Sequence, residues 1–184
     1  VLARNERRPL AYEVSLASGQ GHLVNAASYP ERMRMDRSGV EDDGETFVAI
    51  HNPPLRVIVV GAVHIAQALV PMARIAGYDP FIIEPRAAFG TAERFPGECI
   101  VDDWPDEAVE RLGLDTRTAL VLLTHDPKLD DPALMTALRA ECFYIGALGS
   151  KRTHGQRHQR MIAAGFMQED IARIHGPIGL DIGA

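Results

Sequence analysis

Residues 55–66 read Leu55-Arg-Val-Ile-Val-Val-Gly61-Ala-Val63-His64-Ile-Ala66. A short β-branched run stops at a glycine, and an amphipathic helical pattern begins at once. That is the opening βα turn of a nucleotide-binding α/β domain, where backbone N–H groups at a helix N-terminus face a phosphate. Gly61 supplies the tight turn, and Ala66 stands where a small residue lets the helix pack closely on the strand. The second glycine of the dinucleotide fingerprint is replaced by Val63, whose side chain points where a pyrophosphate would approach. The frame is that of a dinucleotide-binding domain with an altered phosphate loop.

From Leu55 onward, strand and helix patterns alternate. Strands are expected at 56–60, 80–84, 98–101, 119–123 and 142–147, and helices at 65–76, 105–112, 132–140 and 151–164. The strands are continuous apolar runs, as parallel strands are when both faces are covered. Strands separated by helices imply right-handed βαβ units and a doubly wound, Rossmann-like parallel sheet of order 3-2-1-4-5. Gly77 and Gly165 are placed to close the helices before them, and a further short helix is expected at 168–174.

Residues 1–50 differ. Residues 10–17 alternate as a strand does, 18–21 form a turn, 36–45 read as a polar, acidic loop, and 47–50 as a short strand. This segment is expected to be the remnant of a small N-terminal domain with few residues for a core. Residues 51–54, containing Asn52-Pro53-Pro54, are the expected linker, and 55–184 the Rossmann-like domain. Both ends of the chain are expected to lack residues, including the C-terminal end of that domain.

The bulk numbers are consistent with this division. A length of 184 residues suits one domain plus part of another, and 46% hydrophobic content supports a core. The net charge of −6 argues against a sequence-independent nucleic-acid binder, though not against a local basic pocket. Cys99 and Cys142 lie in apolar strand-like contexts and are expected to be buried free thiols. No apolar run approaches a membrane span and no signal-peptide pattern is present, so a cytoplasmic protein without membrane contact is expected.

In a doubly wound sheet, ligands bind outside the carboxyl ends of the strands. Polar or glycine-rich residues follow every strand: Gly61 and His64; Glu84 and Arg86; Asp102 and Asp103; Thr124, His125 and Asp126; and Gly146, Gly149, Ser150, Lys151, Arg152 and His154. Glu84 stands where an acid reads a ribose hydroxyl, and Arg86 where a cation meets a 2′-phosphate. With both present, the residues do not choose between NAD and NADP. Lys151 and Arg152 open a helix against its macrodipole, which suits an anionic ligand. Ordinary structural readings stand beside these: His64 packed at its turn, Glu84 a solvated carboxylate, Ser150 an N-cap, and Asp130 or Asp131 capping the next helix. No convincing catalytic triad or metal-ligand set emerges.

Several stretches resemble the XdhC/CoxI family of accessory proteins for xanthine dehydrogenase and related molybdenum hydroxylases. They are Asn52-Pro-Pro-Leu55; Gly61-x-x-His64-x-Ala66-x-Ala-Leu69; Glu84-Pro-Arg86; Phe95-Pro96; and Leu123-Thr-His-Asp126. Two longer ones are Tyr144-Ile-Gly-Ala-Leu-Gly-Ser-x-Arg-Thr-His154 and Ile174-His-Gly-Pro-Ile-Gly-Leu-Asp-Ile-Gly183. The family usually has glycine where this chain has Val63. The resemblance implies a chaperone rather than an enzyme. It would bind the molybdenum cofactor, protect it during sulfuration by a cysteine desulfurase, and hand it to the apo-hydroxylase, with homodimerisation plausible. A strand-end crevice with Lys151, Arg152 and several histidines suits the phosphate and pterin of such a cargo. The alternative is an NAD(P)-binding oxidoreductase using the Gly61 turn with Glu84 and Arg86.

Overall fold

The computed structural model describes Ala3, residues 6–180 and Ile182. Asp181 and Gly183 of the last family motif lie outside the described residues. The chain forms two compact units that divide between Pro53 and Pro54.

The first unit is a four-stranded antiparallel sheet of order β2-β1-β4-β3. Its strands are β1 (Leu10–Ser15), β2 (Gly21–Asn25), β3 (Gly39–Val40) and β4 (Thr46–His51), with helix α1 at Pro30–Met35. Among its described residues, the apolar side chains at 0% exposure are those of Ala11 and Val48, so its core is small. The sequence pattern did not reveal β2 or α1, and it placed β3 within a loop. These elements are too short to show a period.

The second unit is a six-stranded parallel sheet of order β10-β9-β8-β5-β6-β7. The strands are β5 (Arg56–Val60), β6 (Asp79–Ile83), β7 (Cys99–Val101), β8 (Thr118–Leu122), β9 (Tyr144–Ala147) and β10 (Ile174–His175). The helices are α2 (His64–Ile75), α3 (Pro105–Leu112), α4 (Pro127–Leu138), α5 (Lys151–Ala163) and α6 (Gln168–Ile171). The expected order 3-2-1-4-5 is present, with β10 added outside β9. All five residues of β5 and of β8 are buried. They separate two apolar clusters: Ile58, Leu120 and Ile145 belong to one, and Val59, Ala66 and Val121 to the other. Full burial on both faces is why these strands read as continuous apolar runs.

Hydrogen bonds close the helices where glycine was expected to. Gly77 N donates to Arg74 O and Tyr78 N to Ala73 O after α2, and Gly165 and Phe166 repeat the pattern after α5. At the amino end of the sheet, buried Arg56 donates to Leu112 O at 2.9 Å and to Gly113 O, placing a cation at the C-terminus of α3.

Three expectations change. The helix expected at 132–140 begins at Pro127, because the Asp126 side chain accepts from Lys128 N at 3.0 Å and caps it. Asp130 and Asp131 therefore lie within α4 and cap nothing. The helix expected at 168–174 stops at Ile171, and Ile174 instead pairs with Ile145 as the sheet's last strand. Cys99 is exposed, because β7 is an edge strand only three residues long; Cys142 is buried. Burial pushes the Cys142 thiol up to about 11. Alkylation of the folded protein is therefore expected to modify Cys99 and to reach Cys142 only on denaturation, read by mass spectrometry. Equal labelling of the two would contradict this arrangement.

Candidate functional site

Because all six strands run in parallel, their carboxyl ends share one edge, and the residues following β5, β6, β8 and β9 gather there. Gly61 has φ +109°, and a Cβ built on it would lie 2.8 Å from Thr124 Cγ2. The first turn thus sits directly on the turn after β8, at the point where strand order reverses. Val63 is the N-cap residue of α2, with φ −87° and ψ 174°, which any L-residue adopts. Its side chain, like those of Ile65, Leu148 and Ile178, packs against the apolar cluster beneath. The N-terminus of α2 has no side-chain cap and no acid in its first turn, and His64 is exposed at its start.

Glu84 does not present a free carboxylate at the edge. Its side chain is 0% exposed and accepts four hydrogen bonds. Ala62 N reaches Oε2 at 3.0 Å and Arg86 N reaches Oε1 at 3.0 Å. The Arg86 guanidinium adds contacts of 2.7 and 2.8 Å. Burial alone would raise this carboxyl, but these donors outweigh it and hold it below the ordinary glutamate value. Glu84 therefore braces the Gly61 turn. Arg86 keeps 38% exposure and stacks on the Phe89 ring, 4.3 Å from its centroid.

The turn after β8 carries a strained residue. His125 is exposed at φ +60°, a conformation that costs a non-glycine residue about 1–3 kcal/mol. Its neighbours hold it there. Thr124 Oγ1 accepts from Asp126 N at 3.0 Å and donates to Asp130 Oδ1 at 2.6 Å. Asp130 is 1% exposed, and burial raises its carboxyl above the usual range.

Within β9, Gly146 lets Ile178 and Tyr144 pack against its Cα. Gly149 has φ +146° beside Thr153, and Ser150 caps α5 by accepting from Thr153 N at 3.1 Å. Lys151 and Arg152 are exposed and form no ion pair among the described residues. His154 packs on the Gly176 backbone, and burial, with the charge of Arg157, lowers its pKa.

The structure thus brings Gly61, His64, Thr124, His125, Asp126, Gly149, Ser150, Lys151 and Arg152 to one edge. Glu84, Gly146 and His154 lie partly or wholly beneath it. Sequence reasoning did not find what supports this edge from below. Arg157, 1% exposed, donates from Nη2 to Leu148 O at 3.0 Å and lies 3.7 Å from Asp130 Oδ2. One turn further on, Arg160 forms a two-point pair with Asp131. The only sequence signal was the spacing Arg157–Met161, which puts an arginine on the apolar face of α5.

Comparison with known proteins fits this architecture. The XdhC Rossmann domain model matches residues 57–184. The molybdenum cofactor insertion chaperone PaoD of Escherichia coli is 33% identical over 128 residues, covering 70% of this chain and 34% of that protein. A probable xanthine dehydrogenase subunit of Bacillus subtilis is 25% identical over 142 residues, covering 75% of this chain and 40% of that protein. The chain thus spans between about a third and two fifths of the length of these relatives. The crystal structure of a xanthine dehydrogenase from Bacillus halodurans shares the fold, with a TM-score of 0.70 at 21% identity over 98% of this chain and 58% of that one. No helix among the described residues is long and apolar enough to cross a membrane. With the family model covering its six-stranded parallel sheet and PaoD 33% identical over 128 residues, the chain belongs to the XdhC family through its Rossmann domain.

Proposed function

We propose that this Rossmann unit carries the molybdenum cofactor as cargo at its carboxyl edge. The cargo's phosphate sits at the N-terminus of α5 beside Lys151 and Arg152, and its pterin lies toward His64 and the His125 turn. The carrier then gives up the cofactor, after sulfuration by a cysteine desulfurase, to an apo molybdenum hydroxylase of the xanthine dehydrogenase type. The observation that carries this reading is the exposed Lys151 and Arg152 at a helix N-terminus without a first-turn acid. Such a terminus offers N–H groups and a partial positive charge to an anion. The name of the PaoD relative supports the cargo. The alternative, an NAD(P)-binding oxidoreductase, keeps the Gly61 turn. Its ribose reader would be Glu84, whose acceptor positions are already filled.

Calorimetric titration with molybdenum cofactor, and separately with NADH and NADPH, tests the choice. Cofactor binding without nucleotide binding is expected. Changing Lys151 and Arg152 together to alanine is expected to weaken it about a hundredfold or more, from two charge-assisted hydrogen bonds of roughly 1.5–3 kcal/mol each. Affinity is also expected to fall as salt rises. Nucleotide binding alone would overturn the proposal. Cofactor binding indifferent to both salt and the double variant would remove its phosphate anchor.

A further inference from the structure

We infer that Asp130 and Arg157 are positioning residues: a buried ion pair that ties the His125 turn to the N-terminus of α5, so that both loops facing the cargo hold one geometry. The inference rests on the cargo reading for its purpose, but the tie itself is a property of the free protein.

The contacts form one continuous line. Asp126 N donates to Thr124 Oγ1, which donates to Asp130 Oδ1. Asp130 Oδ2 faces Arg157 Nη2 at 3.7 Å, and that nitrogen also donates to Leu148 O. Leu148 is held in turn by its own N–H on Leu122 O at 2.8 Å, and it directly precedes the Gly149-Ser150 cap of α5. The strained His125 lies at one end of this line and the two exposed cations at the other.

Stability alone does not account for the pair. A guanidinium has five N–H donors. Here it is 1% exposed, and its Nε and Nη1 have no hydrogen-bond partner. Burying a charge so sparsely satisfied is costly, and an apolar pair of similar volume commonly serves stability as well or better. Nor is the pair needed to join the helices. Asp131 and Arg160 already link α4 to α5 with two contacts, and among the described residues their side chains make no hydrogen bond to Thr124 or Leu148. What Asp130 and Arg157 reach, and the outer pair does not, are Thr124 and Leu148.

The test compares the two pairs. The double variant Asp130→Asn with Arg157→Met leaves no lone buried charge, so it is expected to fold. The introduced asparagine keeps an acceptor for Thr124. Arg160→Met with Asp131→Asn is the control for helix packing. In the free protein, amide hydrogen exchange at residues 148–152 is expected to quicken in the inner-pair variant and to stay unchanged in the control. Molybdenum-cofactor affinity is expected to drop roughly tenfold in the inner-pair variant, a typical effect of outer-shell partners, and to hold in the control. Unchanged exchange in the inner-pair variant would overturn the inference, as would equal loosening by the control. Should wild-type protein bind no cofactor, the cargo reading fails while the exchange comparison still decides the tie.

Discussion

Replacing Glu84 with alanine is expected to lower the stability of the Rossmann unit by about 3 kcal/mol. The change removes the acceptor of four hydrogen bonds at once. Arg86 is 38% exposed and regains water, which keeps the loss at the low end for a broken buried pair. Ala62 is fully enclosed, and its N–H finds no replacement. Glutamine is no remedy, because its amide group turns two further donors toward donors already there. Thermal or denaturant unfolding measures the loss, and a variant within about 0.5 kcal/mol of wild type would refute the bracing role. The same carboxyl gives the unit a pH dependence. Its folded pKa lies below the unfolded value of about 4.3, so its contribution is fully present above that value. The contribution is lost as pH falls through the lower, folded value. The alanine variant should show a shallower loss of stability in acid.

A second large effect is expected at Gly61. Alanine there meets two obstacles together. The φ of +109° lies outside what an L-residue adopts without strain, and the new methyl group would press on Thr124 Cγ2 at 2.8 Å and Thr124 N at 3.3 Å. Strain and overpacking of about 1–3 kcal/mol each give a combined loss of roughly 2–6 kcal/mol. The damage should also spread to function, because Thr124 is the hinge of the His125 turn. The variant is expected to bind cofactor more weakly than its loss of stability alone explains. A melting temperature within a degree or two of wild type would show that the two turns can separate freely.

Much of this was legible in the sequence. The strands β5 and β8 are buried along their whole length, and nothing but an unbroken apolar run satisfies that. Their spacing by helical segments then pointed to a parallel sheet, whose order followed from analogy with the doubly wound class. The upper surface of the edge was legible too, since Gly149, Ser150, Lys151 and Arg152 are neighbours in sequence as well as in space. Its underside was not. Asp130 and Arg157 sit in different helices, and an isolated charge within a helical pattern ordinarily marks a solvated face. Glu84 was found, but its direction was not, because strand periodicity places a side chain at an end without saying what it turns toward. The start of α4 was obscured by two prolines. Pro132 resembles a helix opener, yet the opener is Pro127, and Pro132 is carried inside the helix. Strand β10 has two residues, too few for any pattern to appear.

The position of β5 also bears on how the unit is made. It is the first strand of its sheet to leave the ribosome, yet it lies in the interior, between β6 and β8. Residues 56–60 gain one neighbour as soon as 79–83 emerge, and the other only with 118–122. Over the synthesis between those two events, a row of backbone donors and acceptors on one of the two central strands has no strand to pair with. The interior of this sheet is therefore completed only once β8 has emerged. Until then the growing chain carries an open, apolar strand edge, a ready template for pairing with another chain.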